Sequence, residues 1–376
     1  MKSVHKQALT AFFALMFVTT AAADDRGYIQ KNLVANRTGY QTGHLDPHLI
    51  NGWGLAFLQD SPFWVSDQVT GVSTLYTDKG DVVLLVVTIP TGSVPFFGPV
   101  GSPTGQVANP TSDFVISKGG KSFPALFIFA TLDGTISGWN PNVDPTNAIV
   151  MVDNSGETPV PAIYTGLAIG RNSSGHSVLY AADALNNRID MIDGAWKSIG
   201  HFTDSSSFVP SGEAVYGIQN VNGKLYVTFA STSPLDGGAV DVFDTDGNLV
   251  THFTENSPAG PLQAPWGVAL APANFGKFSN ALLIGNVDDG KINAFDPGTH
   301  SFLGQLADPA GKTIVIGGLW ALVFGGGGRS NGQTNQLFFS AGPNLKGIVP
   351  SDYSDGLFGM IHATGEGAGA AGNGEK

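Results

Sequence analysis

Leu179–Asp193 reads LYAADALNNRIDMID: an apolar alternating run, a polar Asp-Ala-Leu-Asn-Asn-Arg segment, and a second alternating run. Period-two alternation marks strands. The Asp and Asn side chains between them bond nearby backbone and tolerate left-handed conformations, so they read as a turn. TGLAIG (Thr165–Gly170) precedes this hairpin and KSIGHF (Lys197–Phe202) follows it. The whole is four short strands in a row.

The same order returns along the chain. GWGLAF (Gly52–Phe57) leads into FWVSDQVTGVSTLYT (Phe63–Thr77) and VVLLVV (Val82–Val87). YGIQNV (Tyr216–Val221) leads into LYVTFA (Leu225–Ala230) and GAVDVFDTDGNLVTHF (Gly238–Phe253). PWGVALAP (Pro265–Pro272) leads into ALLIGNVDDGKINAFD (Ala281–Asp296) and SFLGQL (Ser301–Leu306). Two copies are more degenerate: SDFVIS with LFIFATLDGTISGWN (Ser112–Asn140), and WALVFG, QLFFSA and GLFGMIH (Trp320–His362). Aligned on Gly54, Asp113, Gly166, Gly217, Gly267 and Ala321, the units recur every 50 to 59 residues. Six units of this kind predict an all-β, six-bladed β-propeller. A two-sheet sandwich would not repeat one strand order in a regular phase. The sixth unit lacks a fourth strand. YIQKNLVAN (Tyr28–Asn36) alternates and precedes the first unit, so it is expected to join the last blade and close the ring.

Composition sets limits on function. The chain has 51 Gly, 22 Pro, no Cys and a net charge of −12, which excludes nucleic acid as a partner and rules out disulfides. Lys2 and Lys6 before the apolar Ala8–Ala23 segment, with Ala21-Ala22-Ala23 at its end, read as a cleaved signal peptide over residues 1–23. The expected mature protein is exported, periplasmic or extracellular, with no later segment long enough to span a membrane. Residues 24–364 make the propeller, and the Gly-rich 365–376 is expected as a disordered tail.

LYAADALNNRIDMID resembles the repeat of NHL-type propellers. More broadly, the chain is similar to an uncharacterised family of exported bacterial six-bladed propellers. The residues that carry this are NLVANRTGYQTGHLDPHLINGWGLAF (Asn32–Phe57), PTGQVANPTSDFVIS (Pro103–Ser117), APWGVALAP, LFFSAGPN and DGLFG. The resemblance implies a fold and a location, and no activity.

In such a meander the start of the first strand and the end of the second share one mouth of the central channel. The expected ligand-binding residues there are His48, Asn51, Asn109 and Asp113, with Phe96 and Phe97 from the long connector Thr88–Pro110 acting as a lid. The expected metal-ligating residues are Asp67, Asp183, Glu213 and Asn286, an oxygen set suited to calcium, with Gln263 and Asp288 nearby. Resemblance in fold and place to gluconolactonase- and paraoxonase-type propellers implies, for such a set, calcium-dependent hydrolysis of lactones or esters. Three functions stay open: a scaffold binding a small molecule or protein, a calcium-dependent hydrolase, and a structural protein of the cell surface or matrix. Trp53, Trp266 and Trp320 occupy matching first-strand positions and are expected to pack between blades. GRSNG (Gly328–Gly332) has the letters of a nucleophile elbow but lies in a Gly-rich loop.

Overall fold

The computed structural model describes residues 27–365, apart from 96–97, 207, 210–211, 232, 234–236, 255–259 and 348–350. The segment expected as a signal peptide, Phe96 and Phe97 of the expected lid, and nearly all of the expected tail lie outside the described residues. Each repeat folds into an antiparallel sheet in simple meander order, and six sheets form the ring. The third blade shows the pattern: Tyr164–Arg171 innermost, then Ser177–Asp183, Arg188–Asp193 and Ser198–Phe202. Its second strand is wholly buried while four of the five outermost residues are exposed. This gradient arises because inner strands are sandwiched between neighbouring blades and the outer strand faces water on one side.

The Asp183–Arg188 connector is the turn that the sequence indicated. Asp183 Oδ1 accepts from the Asn186 and Ile163 backbone N–H groups at 3.2 and 3.1 Å. Asn187 takes the left-handed conformation at φ 49°, and its Oδ1 accepts from Val215 N–H in the next blade at 3.0 Å. The turn thus ties its own sheet to the adjoining one.

Ring closure follows the expected route. Tyr28–Ala35 runs antiparallel to Leu357–Ala363 and supplies the fourth strand of the last blade. His44–Leu45 adds a short parallel fifth strand outside it.

The second blade departs from the reading of the sequence. Its inner strand is Pro103–Ala108, not SDFVIS. Within SDFVIS, Val115–Lys118 pairs with Lys121–Pro124 as a separate hairpin. Gly119 and Gly120 between them both take positive φ, 58° and 79°. A two-residue Gly-Gly turn favours local pairing strongly, and this captured the alternating segment. The repeat mark in this blade is therefore Gly105, and the connector from the first blade is shorter than Thr88–Pro110 because it ends at this strand.

With that correction five of the six marks are glycines, and these have one physical role. A Cβ on Gly54 would sit 2.4 Å from Thr104 O, on Gly105 2.3 Å from Leu167 N, and on Gly267 2.4 Å from Trp320 O. Each glycine lies where the backbone of the next inner strand crosses it, so any side chain would push neighbouring blades apart.

Candidate functional site

Inner strands begin at one face of the ring, here termed proximal, and end at the distal face. The residue before each mark is Trp53, Thr104, Thr165, Tyr216, Trp266 or Trp320. Trp53 stacks on Trp320 with centroids 3.5 Å apart, and Trp266 meets both edge-on at 6.4 and 6.0 Å. The blades of Trp53 and Trp266 are not neighbours, so this contact runs across the central channel. Trp266 Nε1 also crosses it, donating to Thr165 O at 3.0 Å. Expected from sequence to pack between blades, these tryptophans instead meet across the axis and plug the channel. Beneath the plug, Gln106, Leu167, Gln219 and Val323 line a separate distal cavity of about 220 Å³.

The proximal mouth collects some of the expected polar residues and not others. His48 lies there with its side chain half exposed. Asn51 is buried in support of the plug, its Oδ1 accepting from Trp320 Nε1 at 2.8 Å and its Nδ2 donating to Gln68 at 2.9 Å. Glu213 opens the inner strand of the fourth blade and is buried. Asn109 and Asp113 follow Pro103–Ala108 and so lie at the distal end, because the inner strand of that blade precedes them. The residues at their expected place are Ser102 and Asp133, joined by Ser102 N–H donating to Asp133 Oδ2 at 2.7 Å.

Among the described residues, Asp67, Asp183 and Glu213 are not a set of three acidic side chains close enough to share an ion. Asp183 Oδ2 also accepts from Asn186 Nδ2 at 2.7 Å, and Arg188 Nε lies 3.7 Å away. Asn286 Nδ2 donates to Pro261 O and to Asp289 Oδ1, both at 2.9 Å. Both side chains tie the end of a second strand to the chain entering the first. Among the described residues, the one set of three His, Asp or Glu side chains close enough to share an ion is Asp204, Asp241 and His252, away from this mouth.

Asp67 belongs to a different arrangement. Its Oδ2 is 2.8 Å from Thr74 Oγ1, Thr74 Oγ1 is 2.7 Å from Tyr76 Oη, and Tyr76 Oη is 3.0 Å from Asp46 Oδ2. Three oxygen–oxygen contacts need three protons, and the two hydroxyls supply two. The third sits on a carboxyl. Asp46 already accepts from His48 N–H at 2.9 Å and faces His48 Nδ1 at 3.0 Å, so its charge is well met. Burial pushes the fully buried Asp67 carboxyl well above its usual range, outweighing the help that the Thr74 hydroxyl would give a charged carboxylate, and the Asp46 charge adds to the rise. Asp67 is therefore the protonated member, donating to Thr74, which donates to Tyr76, which donates to Asp46. A neutral Asp67 is a poor cation ligand.

This assignment has a measurable consequence. A raised native pKa means that the native state holds the proton more tightly than the unfolded chain. Stability from this group therefore falls as pH rises above about 4, where an unfolded aspartate ionises. Asp67→Asn keeps a donor to Thr74 and removes the titration. The stability advantage of the variant should grow as pH rises above about 4, with a slope of at most about 1.4 kcal/mol per pH unit, the limit for one proton. Denaturant titrations at several pH values check this, and a difference independent of pH would rule out the buried proton.

The proximal face also has an apolar recess between the second and third blades. Leu132, Pro161, Ala162 and Ile163 form its walls, and Val94 and Leu185 its lips, with a volume of about 80 Å³. Val94 belongs to the first connector, which Ser155 Oγ and Asp153 hold down by accepting from Val94 N–H at 3.1 Å and Ser93 N–H at 2.8 Å. Val69, Val94 and Leu185 are each about half exposed on this face.

The meandering sheets, the plugged channel and the closing strand define a six-bladed β-propeller. Among solved structures, a glucose dehydrogenase matches with TM-score 0.51 and 14% identity, covering 89% of this chain and 100% of that one. A streptogramin B lyase matches with TM-score 0.50 and 11% identity, covering 89% and 98%. At such identities the likeness is one of fold alone. No family model matches the chain. An uncharacterized protein of Acanthamoeba polyphaga mimivirus is 30% identical over 338 residues, 86% of this chain and 79% of its own. A second from the same virus is 30% identical over 342 residues, 88% and 84%. The chain belongs to the family of these mimivirus proteins. The sequence resemblance pointed to a bacterial family, whereas these relatives are viral.

Proposed function

We propose that the protein is a binding propeller whose proximal face seats an apolar group of a small ligand or protein, without catalysis. The observation that carries this reading is the apolar recess between Val94 and Leu185, with half-exposed Val69 on the same face. Exposed apolar residues gathered on one face mark a contact surface. At about 80 Å³ the recess takes one apolar group rather than a whole ligand, since complete small-molecule sites span several hundred Å³. Two of the expected ligands speak for binding over hydrolysis, because Asp183 is engaged in its own turn through both oxygens and Asp67 belongs to the hydroxyl chain through Thr74 and Tyr76 to Asp46. Export, on the strength of the leader at residues 1–23, is part of the proposal, as is an outer-surface partner.

Nile red, a neutral apolar dye, tests the recess. The wild-type protein should enhance its emission, and Leu185→Asn with Val94→Thr should lower that enhancement several-fold while leaving the melting temperature in place. Equal enhancement by wild type and variant would refute the recess as the apolar site.

A further inference from the structure

On the outer side of the ring, Asp241 and His252 are cross-strand partners in the fourth blade, on Ala239–Phe243 and Leu249–Thr254. Asp204 reaches them from the connector that leaves the third blade after Ser198–Phe202. His252 Nδ1 lies 2.8 Å from Asp241 Oδ1 and 4.0 Å from Asp204 Oδ2. Both carboxylates are buried, with side-chain exposures of 0% and 1%. Asp204 is steered by Ser206, whose N–H donates to Oδ1 at 2.8 Å and whose hydroxyl donates to Oδ2 at 2.7 Å. Phe208 stacks on the imidazole at 4.0 Å and shields one face of it.

The second observation is an orphan. Asp241 Oδ2 is buried and has no hydrogen-bond partner, although its sister oxygen faces His252. A bare carboxylate oxygen beside a second buried carboxylate is costly unless a proton or a cation meets it. One imidazolium would balance only one of the two charges, whereas a divalent ion balances both.

We propose that Asp204, Asp241 and His252 form a binding site for a divalent transition-metal ion of the zinc or manganese class, joining the third and fourth blades. The imidazole selects against calcium and magnesium, which prefer oxygen alone. Two ligands each about 2.1 Å from a tetrahedral ion lie about 3.4 Å apart, and the observed 2.8 and 4.0 Å bracket that value. Small side-chain rotations suffice. The imidazole proton moves to Nε2, leaving the Nδ1 lone pair for the ion, and water completes the coordination. Because Asp204 comes from one blade and its partners from the next, the ion staples a seam of the ring, and its affinity appears as folding stability.

The experiment titrates Zn²⁺, Mn²⁺ and Ca²⁺ separately into the metal-stripped full chain, read by calorimetry and by melting temperature. The wild type should bind one Zn²⁺ or Mn²⁺ and melt several degrees higher, with Ca²⁺ inert. Asp241→Asn and His252→Gln should each weaken binding about tenfold or more and remove the melting shift. Co²⁺ added to wild type should give a visible absorption band, which Zn²⁺ bleaches, so the proposal does not depend on variants that fold poorly. No heat, no shift and no band in wild type would overturn it. Binding unchanged in both variants, as surface histidines elsewhere would give, would overturn it equally.

Discussion

A chain lacking residues 27–36 should lose the cooperative melting transition of the full-length protein. Tyr28, Leu33, Val34 and Ala35 are buried in the closing strand. At about 1.5–3 kcal/mol for each large apolar side chain, their burial is comparable to the 5–15 kcal/mol that holds a typical domain together. The deletion also exposes the edge of Leu357–Ala363, whose partner in the sheet is gone. Two polar fastenings go with it. Tyr28 Oη donates to Phe275 O and accepts from Phe278 N–H, both at 2.9 Å. At the end of the strand, Asn36 Nδ2 donates to Asp355 Oδ1 at 3.2 Å and its Oδ1 accepts from Gly356 N–H at 3.1 Å. Deletion thus opens the ring at its one non-sequential seam. A variant that melts cooperatively within a degree or two of the full-length chain would show that the closing strand does not hold the ring.

The fold was largely legible because a propeller writes its architecture as repetition. Period-two runs, turn residues at fixed offsets and a recurrent glycine all follow from packing one small sheet against the next. SDFVIS was misread because alternation reports a strand without naming its partner, and the Gly119-Gly120 turn gave it a local one. The plug was half legible. Trp53, Trp266 and Trp320 stood out at one repeat position, but whether that position faces a neighbouring blade or the axis depends on the twist of the inner strand. The polar residues of the mouth were overvalued for a related reason. An Asp ending a second strand looks the same whether it binds an ion or, like Asp183, holds its own turn. Asp204, Asp241 and His252 gave no signal at all. They are scattered over two repeats, and the turn spacing that aligns Asp241 with His252 is one of many such cross-strand pairs.

Trp320→Ala should be the most damaging single substitution at the axis, lowering stability by about 3–5 kcal/mol. The ring is 2% exposed and meets Trp53, Trp266, Tyr216 and Tyr353, so no neighbour can collapse into the gap without leaving another contact. Its loss also leaves Asn51 Oδ1 without the indole N–H. Trp320→Phe keeps an aromatic face over Trp53 and forfeits the hydrogen bond, for a smaller loss of about 1–3 kcal/mol. A double-mutant cycle with Trp53→Ala separates a shared plug from independent packing in two inter-blade gaps. If the rings occupy separate gaps, the two losses add within a few tenths of a kcal/mol. If they stack on one another at the axis, the second truncation removes a ring whose main partner is already gone, and the double variant falls short of the sum by about 1 kcal/mol or more. Strict additivity would therefore return the tryptophans to the gaps between blades and leave the channel open from face to face.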